Sequence, residues 1–129
     1  MKEILRRAAI ASLIAAVINT IVFFVATQMS GALVVNMSGE MELTAMQPFI
    51  FTLLLGILGG SAVGFIALRT AQPRRTWVIV SIVALILYGV PPFASAGIVT
   101  ALWFNVMHVV AGIVLIPAVA SVLPQNTQK

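Results

Sequence analysis

Three kinds of residue are scarce or missing, and each absence narrows what this chain can be. None of its 129 residues is cysteine, which removes disulfide bonds, a thiolate nucleophile and cysteine-based zinc or iron–sulfur sites. Charged residues make up only 8% and apolar ones 61%, where a soluble domain carries about 25% and roughly 45 to 50%. Such a chain has too little polar surface to face water. Histidine occurs once, as His108, and acidic residues only as Glu3, Glu40 and Glu42. A zinc-binding histidine pair and a membrane-buried carboxylate dyad are thereby excluded, and no phosphate loop or nucleophile elbow is present. The expectation is a protein without catalytic activity and without a metal site.

Long apolar runs stand where the charges are missing. They cover about 8–28, 48–68, 77–94 and 99–122. A helix rising about 1.5 Å per residue needs roughly 20 residues to cross the ~30 Å hydrocarbon layer. None of the runs alternates with the two-residue period of a barrel strand, and in lipid only helices and closed barrels satisfy their own backbone. The fold class expected is all-α: a four-helix transmembrane bundle running up-down-up-down, one domain over 1–129. The first run follows MKEILRR and superficially resembles a signal peptide, but its apolar part exceeds the usual ~7 to 15 residues and no small-x-small cleavage site closes it. It is read as a retained first span.

The few charges are sorted. Lys2, Arg6 and Arg7 precede the first run, Arg69, Arg74 and Arg75 lie in the connection 69–76, and Lys129 follows the fourth run. All seven cations fall on one side of a four-span layout, with Glu40 and Glu42 on the other. The positive-inside tendency then places both termini in the cytoplasm of a bacterial inner membrane. The net charge of +4 is accounted for by topology and anionic headgroups rather than by nucleic acid. The outer connection 29–47 is expected to form an interfacial hairpin or short amphipathic segment. Its Asn36-Met37-Ser38 triplet is not expected to be glycosylated, and Met37, Met41 and Met46 are read as apolar surface rather than copper ligands. Pro91 and Pro92 predict a third helix that is kinked or short.

Within the runs, Gly56, Gly60 and Gly64 repeat every four residues, a groove against which a neighbouring helix can pack closely. Seams at spacings of three and four run through Ser12, Ala16 and Asn19, through Trp77, Ser81, Ala84 and Tyr88, and through Ala101, Asn105 and His108. Counted from the basic side, Asn19, Gly56, Tyr88 and His108 share one depth. This predicts a mid-membrane polar layer of Asn19, Tyr88, Asn105 and His108. Three roles for it compete. As structural glue, it would fix helix register in a homo-oligomer or an accessory subunit of a larger membrane assembly. As an ionisable group inside a membrane, His108 would serve a small channel, carrier or ligand-binding protein. As an axial ligand, it would hold haem or chlorophyll, although one imidazole per chain needs a second copy for bis-histidine ligation. The first is preferred, and no cofactor is expected.

The segment FNVMHVVAGIVLIPAVASVLP, with Pro117 and Pro124, resembles the last helix of small four-helix bacterial integral membrane proteins of unknown function. The resemblance implies the fold and brings no activity. GGSAVGFIALR is similar to the Gly-Gly plus Arg element of small fluoride channels, but the spacing differs and their Phe and Ser/Thr filter is missing. Small multidrug carriers place a carboxylate in their first helix, where this chain has Asn19.

Overall fold

The computed structural model describes residues 1–36 and 38–126; Met37 and Lys129, each given a reading above, lie outside them. Five helices and one hairpin follow in order: α1 (Lys2–Ser30), β1 (Val34–Asn36), β2 (Glu40–Glu42), α2 (Met46–Ala67), α3 (Pro73–Tyr88), α4 (Pro92–Ser95) and α5 (Ile98–Ala120). Among the described residues, four segments are long and apolar enough to cross a membrane: Lys2–Ser30, Met46–Ala67, Pro73–Ser95 and Ile98–Ala120. The chain is a four-helix transmembrane bundle.

Local chemistry sets the boundaries. Gly31 ends α1 with φ of 77°, a left-handed conformation that glycine adopts without a Cβ penalty. Before α2 stands Thr44-x-x-Gln47, where the Gln47 Oε1 accepts from the Thr44 backbone N–H at 2.7 Å and ties the preceding chain to the first turn. Pro73 opens α3 at a position where its missing N–H costs nothing. That helix stops at Tyr88, and Gly89, Val90 and Pro91 form a turn before the single turn of α4. Of the two alternatives for the third span, the short helix is the one found. Its 16 residues reach about 24 Å, and α4 completes the crossing.

Helix α1 is the hub, packing on both α2 and α5. Ile4 lies beside Gly64, Ala8 beside Gly60 and Ser12 beside Gly56, so α1 and α2 run antiparallel. Of the first span's apolar window 39% is buried, against 11% for the third. Two apolar clusters close the ends. Ile4, Ala8, Ala67, Trp77, Val119 and Leu123 form one at the basic end. Phe23, Ala26, Leu33, Val35, Leu43 and Met107 form the other, under the hairpin.

The outer connection is the hairpin alternative, pairing Val34 with Glu42 and Asn36 with Glu40. It is tied down on α5, where the Val34 N–H donates to Thr100 Oγ1 at 3.3 Å, and by a bridge from Val35 to Ala96. Alternation along β1 turns Val35 into the bundle and leaves Asn36 outside. Glu40 and Glu42 thus sit at the end opposite Arg69, Arg74 and Arg75.

Candidate functional site

The polar residues predicted to share one layer divide into three separate places. Asn19 is buried where α1, α2 and α5 meet. Its Nδ2 donates to Thr52 Oγ1 at 3.0 Å and to the Met107 carbonyl at 3.1 Å. Asn105 faces the turn after α3, its Nδ2 donating to the Gly89 carbonyl at 3.0 Å and the Ala101 carbonyl at 2.9 Å. Neither asparagine touches His108 through a hydrogen bond. Asn19 thereby links α1 to both α2 and α5, and Asn105 links α5 to the turn after α3.

His108 looks away from both, into a cleft of about 350 Å³ between α2, α3 and α5. Gly59 and Leu55 form one wall, Ser81 and Leu85 the second, His108 and Ala111 the third, with Trp77 near the basic end. The His108 Nδ1 is enclosed and has no hydrogen-bond partner. The ring itself lines the cleft, and its other nitrogen, Nε2, is not among the buried atoms left without a partner. His108 is half-buried, near the midpoint of the 23-residue α5.

Tyr88 corrects the expectation of an inward polar layer. It lines the same cleft as His108 but is 67% exposed, and its hydroxyl takes no part in the bonds of either asparagine. The physical reason is the separation of α3 from α2. The two come together near the basic end, where Trp77 lies 3.9 Å from a Cβ placed on Gly60. Farther along, the cleft stands between them and Tyr88 is left at its margin. Trp77, the first residue of the same seam, is 3% exposed. Its indole N–H donates to the Ile116 carbonyl at 2.9 Å, pinning α3 to α5.

The glycine row is an interface within the chain. A Cβ on Gly64 would lie 2.8 Å from Ile4 Cγ2, one on Gly60 3.4 Å from Ala8 Cβ, and one on Gly56 would collide with the Ser12 hydroxyl. Thr52 belongs to this row, one turn before Gly56, so the partner of Asn19 could have been found by extending the four-residue spacing backwards. Gly59 was also missed, since an isolated glycine next to a glycine row carries no signal of its own, whereas Ser81 belongs to the seam read from spacing and does line the cleft.

No group of three histidine or acidic side chains that could hold a metal occurs among the described residues. At the basic end, Arg74, Arg75, Gln72 and Gln125 surround a shallow hollow of about 440 Å³, placed where headgroups would lie.

The chain matches neither a curated protein nor a solved structure. A family model does match, over residues 1–125, nearly the full length. On that match, this four-helix membrane protein belongs to the family of unknown function DUF6069.

Proposed function

We propose that this is a non-catalytic, multi-pass protein of the bacterial inner membrane, both termini cytoplasmic, that works as a homo-oligomer or as an accessory subunit of a larger membrane assembly. The observation that carries this reading is the bare third span. Its apolar window is the least buried of the four, and Ile82, Val83, Ile86 and Leu87 present a continuous outer face. In lipid the hydrophobic effect does not drive association and van der Waals packing holds helices together, and this face is left free to make it. Supporting it further, the amide N–H groups of Asn19 and Asn105 donate to groups on other elements of the bundle.

The natural lack of cysteine makes the test clean. Ile82→Cys or Leu87→Cys, oxidised in native membranes, should give either a crosslinked homodimer or a discrete adduct with a second membrane protein. A chain that stays monomeric in native nanodiscs, with nothing co-purifying, would sink the proposal. A second reading, a small ligand-binding membrane protein centred on His108, is favoured by one observation: the unpaired imidazole faces an open cleft instead of a neighbouring helix.

A further inference from the structure

We propose that the cleft between α2, α3 and α5 binds an uncharged, membrane-dissolved molecule carrying a carbonyl oxygen on a flat apolar body, the chemistry of a lipid quinone, with His108 Nε2–H donating to that oxygen. This rests on the second reading above and names its ligand class.

Four observations select the occupant. The volume of about 350 Å³ falls within the range of small-molecule sites, about 300 to 1,000 Å³. The walls are apolar and, among the described residues, no Asp, Glu, Lys or Arg lines the cleft, so a charged ligand would enter without a counter-charge and pay its full desolvation. Depth is the third. His108 lies halfway along α5, about 15 Å from either edge of the hydrocarbon, which is out of reach of a phospholipid headgroup anchored at the surface. A molecule dissolved in the layer itself meets this position.

The fourth is the direction of the hydrogen bond. A neutral imidazole has one N–H and one acceptor nitrogen. Nδ1 is enclosed without a partner, and buried N–H groups are left orphaned more rarely than buried acceptors. The proton therefore belongs on Nε2, at the cleft, and asks for an acceptor. Across the cleft, Ser81 and Tyr88 on α3 bring hydroxyls that can meet a second polar substituent. Gly59 keeps the α2 wall flat: a Cβ there meets nothing within 4 Å, so the space is open on that side too.

Trp77 provides the readout, since it lines the cleft and quinones quench indole emission on contact. Trp103, the other tryptophan, is at the opposite end, its indole bonded to Ser30 Oγ. Trp103→Phe therefore isolates the signal. Decylubiquinone added to this variant in nanodiscs should quench Trp77 saturably. Adding His108→Leu should weaken the apparent affinity about fivefold to tenfold, the loss of one neutral hydrogen bond. Gly59→Leu fills the cleft without touching the ring and should abolish saturable quenching while the helical circular dichroism is retained.

Quenching no greater than that of a tryptophan analogue dissolved in the same nanodisc overturns the proposal. So does saturable quenching that His108→Leu leaves unchanged. Nanodiscs containing brominated phosphatidylcholine separate the two levels of failure. If brominated chains quench Trp77, and Gly59→Leu prevents it, while decylubiquinone does not compete, the cleft is a site but for acyl chains, and only the ligand class is wrong. If neither probe reaches Trp77, the ligand-binding reading fails with it. A Soret band on adding haem, lost in His108→Leu, would likewise replace the quinone class with haem.

Discussion

Helix α2 meets its neighbours in two opposite ways. Toward α1 it is stripped to glycine, and side chains of α1 fill the groove: Ser12 and Ile4 leave no room for a Cβ at Gly56 and Gly64 without displacement, and a Cβ at Gly60 would touch Ala8. Toward α3 it also offers glycine, but Gly59 faces nothing within 4 Å. The same residue type thus makes a dry seam on one side and an open cleft on the other. Glycine alone does not determine which; the neighbour does. On the α1 side Ile4, Ala8 and Ser12 come to meet it, whereas on the α3 side Trp77 makes contact only near the basic end, 3.9 Å from a Cβ on Gly60, and the cleft opens beyond it.

The strongest way to break the comparison is to place one side chain on each side. Gly64→Leu should destabilise the bundle by about 1 to 3 kcal/mol or more, since overpacking forces the helices apart, and Ile4 Cγ2 stands only 2.8 Å from the new Cβ. Gly59→Leu should change stability by no more than about 0.5 kcal/mol. Unfolding in mixed micelles with rising SDS measures both. Equal losses at the two positions would erase the distinction between seam and cleft.

Polar groups sharpen it next. On the seam side, Asn19 holds Thr52 and the Met107 carbonyl, so Asn19→Leu should cost about 1 to 2 kcal/mol, the upper range for interhelical hydrogen bonds in membranes. Asn105 acts at the loose side. It ties α5 to the Gly89 carbonyl, and Asn105→Ala should cost only about 0.6 kcal/mol while speeding amide exchange in the last turn of α3. Hydrogen exchange read by mass spectrometry distinguishes this local effect from the global one at Asn19.

How much of this was legible in the sequence follows the same division. The four spans were legible because hydrocarbon imposes a length and a composition that nothing else in the chain obscures. The glycine groove was legible because its four-residue period is a property of one helix. What could not be read was the direction in which polar side chains of different helices meet. Counting residues from the basic side assigns one depth to Asn19, Gly56, Tyr88 and His108, but depth is one coordinate. Rotation about each helix axis is set by contacts between helices, such as Trp77 to the Ile116 carbonyl, and that rotation sends Asn19 to Thr52, Asn105 to Gly89 and His108 to the cleft. The break after Tyr88 was half legible. Pro91 and Pro92 marked it, yet whether the helix bends or stops depends on how the hairpin and α5 receive the chain afterwards, through Val35 and Ala96.

His108 gives the smallest expected effect and the most discriminating one. An asparagine on the seam is stabilising because its donors are matched; the imidazole in the cleft has no matched atom. With Nδ1 enclosed and unpaired, the folded protein already carries the cost of that nitrogen, and replacing the ring by an apolar side chain of similar bulk removes the cost along with the group. His108→Leu should therefore alter stability by no more than about 0.5 kcal/mol in either direction when the cleft is empty, far less than Asn19→Leu in the same micelles. A loss as large as that of Asn19→Leu would mean that the ring is bonded within the bundle, and His108 would then belong to the seam. A near-neutral result places the ring outside the seam, where it is free to meet whatever enters the cleft.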